Sequence, residues 1–298
     1  MSIAVTGANG QLGSELCRRF GGEAVALTRP GFDMTSRESI VAELMAIEPT
    51  AVINCAAYTA VDKAEEEFDT CHLVNAESVS IIAEICDALE IPLVQISSDY
   101  VFGANTKRSV PYRENDATGP LGAYARTKHE GELNAAYWQK HFIIRTCGLY
   151  SCADDGPVRG RNFVDTMLHL GRERDELTVV SDQFCTPTYV PHLVTAIEYL
   201  LTTEDYGTYH VVNTGSCSWI EFAGEIFRQS GLEVKLNETT TEAWGAPAPR
   251  PLYSVLDTSK FHDLCGPRMP SWQQGIADYL EQLEASQPEF LTEAQATG

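Results

Sequence analysis

Short apolar runs alternate with helix-patterned stretches through the first half of the chain. Ile3-Ala4-Val5 is apolar and is followed by the amphipathic stretch Ser14 to Phe20. Val25-Ala26-Leu27, Ala51-Val52-Ile53-Asn54, Pro92 to Ile96 and Phe142-Ile143-Ile144-Arg145 read as further strands. Between them, Ser36 to Ile47, Thr70 to Leu89 and Ala123 to Trp138 read as helices, with Ser36 placed to cap the first. This alternation predicts an α/β protein with a Rossmann-type, doubly wound parallel sheet.

The pattern loosens after Tyr150. Asp154-Asp155-Gly156-Pro157 reads as a loop, Asn162 to Leu170 as a helix and Leu177 to Val180 as a short strand. Val190 to Leu201 reads as a helix, Tyr209 to Val212 as a strand, and Ser218 to Gln229 and Trp272 to Leu283 as helices. Residues 246–251 hold three prolines and suit neither helix nor sheet. The reading divides the chain into a nucleotide-binding domain, residues 1–148 with about 188–215, and a smaller C-terminal α/β substrate lobe, residues 149–187 with 216–285. A frayed tail is expected over 286–298.

The turn after the first strand reads Thr6-Gly7-Ala8-Asn9-Gly10-Gln11-Leu12-Gly13. Strand, glycine turn and helix together make a dinucleotide site. Gly7 permits the tight turn, Gly10 admits a pyrophosphate close to the backbone, and Gly13 lets helix and strand pack closely. Unpaired N–H groups at the helix start then receive the phosphates.

Tyr124 and Lys128 form Tyr-x-x-x-Lys, four residues apart and so on one helix face. A free tyrosine, with a pKa near 10, is a poor acid at neutral pH. A nearby ammonium is expected to stabilise the phenolate and lower that pKa, so that the phenol can protonate a carbonyl oxygen as hydride arrives at carbon. Ser98, at the end of the fourth strand, is placed where ligands bind in open parallel sheets and completes a catalytic trio; Ser97 is the fallback. For coenzyme choice, Asp33 stands about 20 residues past the glycines, as a ribose-binding carboxylate would. Arg29 stands nearer the strand end, where its fork suits a 2′-phosphate. The expectation is NADPH, with NADH possible.

Composition narrows the setting. The 298 residues include 42 acidic and 21 basic side chains, a formal charge of −21. Such a surface disfavours nucleic acid and anionic membranes; it is that of a soluble acidic enzyme, or of one adapted to salt. The nine cysteines are scattered without C-x-x-C spacing, as reduced cytoplasmic thiols would be. No apolar stretch reaches membrane-span length and no signal peptide is visible. Glu65-Glu66-Glu67 reads as a solvated face, and the seven histidines show no metal-ligand spacing.

The chain resembles the extended short-chain dehydrogenases/reductases, and within them the dTDP-4-dehydrorhamnose reductases. The glycine turn, Ser98-Asp99-Tyr100-Val101-Phe102 and Tyr124 to Lys128 carry the likeness. So do Asn54 to Glu65, with its Ala57-Tyr58-Thr59-Ala60-Val61-Asp62-Lys63-Ala64-Glu65 run, and later Asn162-Phe163-Val164, Asp182-Gln183, Thr186-Pro187-Thr188, Gly207 to His210, Arg250-Pro251, Ser254 and Leu256. The resemblance implies that Gly7, Asn9, Gly10, Gln11 and Leu12 touch the pyrophosphate and nearby ribose. It puts Asp33 and Met34 by the adenine, Ala56, Ala57 and Tyr58 along the nicotinamide, and Thr59, Val61 and Asp99 against the sugar.

Ser98, Tyr124 and Lys128 would act at C4 of a 4-keto nucleotide sugar, with Lys128 also holding the nicotinamide ribose. A possible homodimer follows from the same resemblance. Some relatives hold Mg²⁺ between subunits through surface carboxylates, a part Glu15 could take; no catalytic metal is expected. Two departures stand out: Gly148 occupies a position where many members carry an aromatic residue, and Ser98 replaces the usual threonine. Another nucleotide-sugar reductase or epimerase is the enzymatic alternative. A non-catalytic NADP-binding subunit, resembling the regulatory subunit of methionine adenosyltransferase, is the other.

Overall fold

The computed structural model describes residues 2–152, 162–264 and 266–286. The expected loop at 154–157 and the expected tail beyond 286 lie outside the described residues. Six parallel strands form the central sheet: β1 (Ile3–Thr6), β2 (Ala24–Leu27), β3 (Ala51–Asn54), β4 (Leu93–Ser98), β5 (His141–Thr146) and β7 (Gly207–His210), with β6 (Glu176–Val180) lying outside it. Their order is β7-β5-β4-β3-β1-β2. The chain runs outward from β1 to β2 and then returns past β1 to β3, so the direction of winding reverses between β1 and β3. In such sheets the ligand crevice opens at that reversal, beyond the strand C-termini.

Both sheet faces are covered. On one, α1 (Gln11–Phe20) and α6 (Val190–Leu201) pack over Val5, Ile53, Val94 and Ile144. On the other, α2 (Arg37–Ile47) and the long third helix, α3 (residues 68–88), pack over Ala4, Val52, Leu93 and Ile143. Strands buried on both faces are apolar throughout rather than alternating, which is why their positions were readable. Ser36 caps α2 as expected, its hydroxyl accepting from the Ser39 N–H at 3.2 Å.

Three expected boundaries shift. The helix expected over Thr70–Leu89 is α3, built from Phe68–His72, a wider π-helical stretch at Leu73–Glu77, and Ser78–Ala88. The helix α4 (Ala123–Ala135) stops before Trp138, because that indole turns back to donate to the Ile91 carbonyl at 2.8 Å. The strand expected at Tyr209–Val212 is β7, displaced toward the N-terminus, and Val211 N–H bonds Arg145 O at 3.0 Å beyond its end.

A second core lies off the sheet. Tyr150, Val164, Leu168, Leu177, Tyr189, Phe222, Ile226, Ile276 and Tyr279 are its buried centre. It is carried by α5 (Phe163–Glu173), α7 (Trp219–Ser230), α8 (Trp272–Ser286) and a two-stranded parallel ribbon of β6 with β8 (Lys235–Thr239). The sequence Lys-Leu-Asn-Glu-Thr hides β8, since a largely exposed strand shows no apolar alternation. Among the described residues, no helix is long and apolar enough to cross a membrane, and the eight described cysteines are free thiols.

Candidate active site

The glycine turn is tight for reasons that each glycine explains. Gly7 sits at φ +63°, and a Cβ there would come within 2.8 Å of the Ala56 backbone. A Cβ on Gly13 would lie 2.4 Å from the Gly7 carbonyl. Neither position admits a side chain, because backbone meets backbone. Gly10 N–H closes the turn onto Gly7 O at 2.8 Å and begins α1 without a side-chain cap. The first intrahelical bond is Ser14 N–H to Gly10 O, so the N–H groups of Gln11, Leu12 and Gly13 have no helical acceptor. This cradle fits a pyrophosphate. Asn9 is exposed at its rim, whereas the Leu12 side chain is buried in the core and leaves only its backbone to the cleft.

A buried polar ladder crosses the sheet below. Thr6 Oγ1 donates to Asn54 Oδ1 at 2.5 Å, Asn54 Nδ2 to Gln95 Oε1 at 2.7 Å, and Gln95 Nε2 to the Ile96 carbonyl at 2.9 Å. Lys128 Nζ, from α4, reaches the same carbonyl at 2.6 Å. Burial pushes the Lys128 ammonium down to about 8, against the pull of Glu132 one turn further along.

Ser98 ends β4. Its Oγ accepts from Tyr100 N–H at 3.1 Å and donates to Asp99 Oδ1 at 3.1 Å. The phenol of Tyr124 lies beside the Ser98 hydroxyl, and its half-buried ring is edge-on to Tyr100 at 5.9 Å. Burial raises the Tyr124 pKa, and the Ser98 hydroxyl only partly opposes it. The expected lowering by a nearby ammonium is therefore corrected: burial governs the phenol, and Lys128 Nζ is turned to the Ile96 carbonyl. A phenol that keeps its proton suits donation to a substrate oxygen. The fallback, Ser97, faces the other side of the sheet, as alternation demands, and donates to Glu132 at 2.5 Å.

Asp99 was expected against the sugar. It is buried, and Ser254 Oγ donates to its second oxygen at 2.5 Å. Burial lifts its carboxyl to about 6, opposed by the bonds from Ser254, Cys147 and Ser98. Its visible part is therefore to hold Ser98 in place from behind.

The Ala57-to-Glu65 run surrounds the trio. Tyr58 packs with Tyr124 against Ala64, Cys71 and Ala123. Its N–H donates to Asn75 Oδ1 at 2.8 Å, and Asn75 Nδ2 returns to the Tyr58 carbonyl at 3.2 Å and to Thr127 at 3.2 Å. Thr59 is exposed and Val61 half-buried above them, and Ala56 N–H donates to Thr6 Oγ1 at 3.2 Å. Asn75 was missed from sequence; a lone amide in an apolar helical stretch was its signal.

Glu65, Glu66 and Glu67 are exposed, as a solvated face would be, and two of them also bond the site. Glu65 accepts from Ala123 N–H at 2.7 Å and so caps α4, while Glu67 accepts from the Tyr58 hydroxyl at 2.7 Å, which pushes that phenol up to about 12. Asp62 takes both terminal nitrogens of Arg250, at 2.9 and 3.0 Å, and Ala248 N–H at 3.1 Å, pinning the proline-rich segment over this loop.

At the far end, Arg29 is exposed beside Asp33. The Asp33 carboxylate accepts from Thr35 N–H and Oγ1 at 2.9 and 2.8 Å, which holds its pKa below the usual range and commits it to its own turn. Met34 packs against the core below α2. Glu15 gives both carboxylate oxygens to Arg18 at 2.8 and 2.5 Å.

The cradle, the cleft at the winding reversal and the Ser-Tyr-Lys cluster define an NAD(P)-dependent oxidoreductase of the extended short-chain dehydrogenase/reductase class. Comparison with known proteins narrows this. The sequence model of the family described as RmlD substrate binding domain matches residues 1–285, and the chain belongs to that family. It is 39% identical over 284 residues to the Spore coat polysaccharide biosynthesis protein SpsK of Bacillus subtilis, covering 94% of this chain and 97% of that one. It is 37% identical over 301 residues to dTDP-4-dehydrorhamnose reductase of Escherichia coli strain K12, covering 95% and 98%. The crystal structure of dTDP-4-dehydrorhamnose reductase from Bacillus anthracis in complex with NADP superposes with a TM-score of 0.89 at 38% identity, covering 95% of this chain and 100% of that one.

Proposed function

We propose that this protein uses NADPH to reduce the C4 keto group of dTDP-4-dehydro-L-rhamnose, giving dTDP-L-rhamnose. The observation that carries the reading is the grouping of Ser98, Tyr124 and Lys128 around the C-terminal end of β4, with Tyr124 beside Ser98 and Lys128 on the Ile96 carbonyl. When bound, NADPH supplies the hydride that attacks C4. Tyr124 gives its proton to the C4 oxygen as charge develops there, and Ser98 orients that phenol. The Lys128 ammonium offsets the negative charge left on Tyr124 and holds the nicotinamide ribose. Gly7, Asn9, Gly10 and the backbone of Gln11 to Gly13 hold the phosphates, Asp33 and Met34 flank the adenine, and Arg29 meets the 2′-phosphate. Ala56, Ala57 and Tyr58 line the nicotinamide; Thr59 and Val61 face the sugar.

In this reading residues 1–148 with 188–215 bind coenzyme and 149–187 with 216–285 bind the nucleotide sugar. Gly148 favours a second reading, an enzyme for another nucleotide-linked 4-keto sugar. Following NADPH absorbance with each of several such sugars separates the readings. Rapid loss with dTDP-4-dehydro-L-rhamnose is expected; oxidation only with other sugars supports the second, and binding without any turnover overturns both.

A further inference from the structure

The two lobes meet along a line of named contacts. Gln11, in the glycine cradle, accepts from Ser151 N–H at 3.0 Å and from Asn162 Nδ2 at 3.2 Å. Asn162 caps α5, and the next residue, Phe163, lies 4.8 Å from the ring of Trp219, the first residue of α7. The indole then runs to Gly148. A Cβ there would lie 3.4 Å from its Cη2 atom and 3.3 Å from Pro187 Cα, and Gly148 holds φ +53°. Beside Gly148, Cys147 is buried next to Asp99, which accepts from Ser98. Trp219 is half-buried, packed on one side against both the second core and the cluster of Val101, Phe102, Cys147 and Cys185. A large aromatic side chain thus stands on the line of contacts that joins the coenzyme turn to Gly148 and Cys147, close to the catalytic serine.

We propose that Trp219 is the specificity-determining wall of the sugar pocket and that Gly148 is side-chain-free to admit it. This rests on the reading of the protein as a nucleotide-sugar reductase. An indole face matches the C–H face and methyl group of a 6-deoxyhexose, while its flat apolar surface gives charged or bulky C6 substituents no partner. The capping box of Ser218 and Glu221 anchors the helix end that presents it, so the ring is held by backbone as well as by packing.

The test is steady-state kinetics with Trp219→Phe and Trp219→Leu, alongside thermal midpoints and tryptophan fluorescence of the NADP⁺-loaded protein titrated with dTDP-4-dehydro-L-rhamnose. Trp219→Leu should raise the KM for the sugar about three- to tenfold with the KM for NADPH unchanged, Trp219→Phe should fall between, and the sugar-induced quenching expected of the wild type should vanish in both. A sugar KM within twofold of wild type, or equal rises in both KM values tracking a loss of thermal stability, would overturn the proposal. If the wild type turns over a different nucleotide sugar, the reductase assignment to rhamnose fails, yet the same titration with that sugar still decides Trp219. Quenching that survives Trp219→Phe would then rule it out.

Discussion

Ser97 and Ser98 are neighbours on β4 and carry their hydroxyls to opposite faces of the sheet. Ser97 donates to Glu132 within a buried cluster completed by Arg145, which bonds both Glu132 oxygens at 2.9 and 2.8 Å. Ser98 donates to Asp99 and lies beside the Tyr124 phenol at the cleft. The two substitutions to alanine should therefore separate stability from chemistry. Ser97→Ala leaves Glu132 short of a donor and should cost about 1–3 kcal/mol of unfolding free energy with kcat within a factor of about two. Ser98→Ala should leave the denaturation midpoint close to wild type and lower kcat about 10²-fold. Urea titration and steady-state rates on both variants check this; a larger kcat loss in Ser97→Ala would move the catalytic hydroxyl to the wrong face.

In the proposed reading Arg29 decides the coenzyme. Asp33 is committed to the Thr35 turn, so the exposed guanidinium is the group left to meet a 2′-phosphate. Arg29→Ala should raise the KM for NADPH about tenfold and spare that for NADH. Parallel kinetics with the two coenzymes give the result directly; equal changes would remove Arg29 from the site.

Lys128 sets a pH dependence. Burial pushes its pKa down to about 8 in the folded protein, below the ~10.4 of an unfolded chain. Above about 8 the charge that offsets the Tyr124 phenolate disappears, so kcat/KM should fall as pH rises through that value. The stability sign is opposite. Between the two pKa values the unfolded chain binds more protons, so this group makes the fold more stable as pH rises across the window. Lys128→Met should abolish that increment when denaturation midpoints are compared on both sides of the window. A flat kcat/KM profile to well above pH 9 would contradict the assigned role.

Much of the frame was readable because parallel strands buried on both faces are short, apolar and separated by helical periods. The glycine turn and Tyr-x-x-x-Lys are local patterns whose spacing carries their geometry. What escaped was long-range and polar. Ser254 meets Asp99 across 155 positions and Arg250 meets Asp62 across 188, and no local period records such a pairing. Glu65 and Glu67 are solvent-facing as read, but their bonds to Ala123 N–H and the Tyr58 hydroxyl went unread because a cap on another helix leaves no trace in their own segment. Asp99 looked like a sugar contact, and its burial emerged only when Ser254 and Cys147 were brought to it. Gln11, expected at the pyrophosphate, also ties the cradle to the second lobe through Ser151 and Asn162.

The central claim is that the Tyr124 phenol donates the proton to the C4 oxygen. Single-turnover reduction of dTDP-4-dehydro-L-rhamnose by NADPH-loaded Tyr124→Phe, set beside coenzyme binding measured by titration, tests it most directly. A loss of about 10²–10⁴-fold in the reduction rate with NADPH affinity unchanged is the expected result. A rate close to that of the wild type would contradict the mechanism.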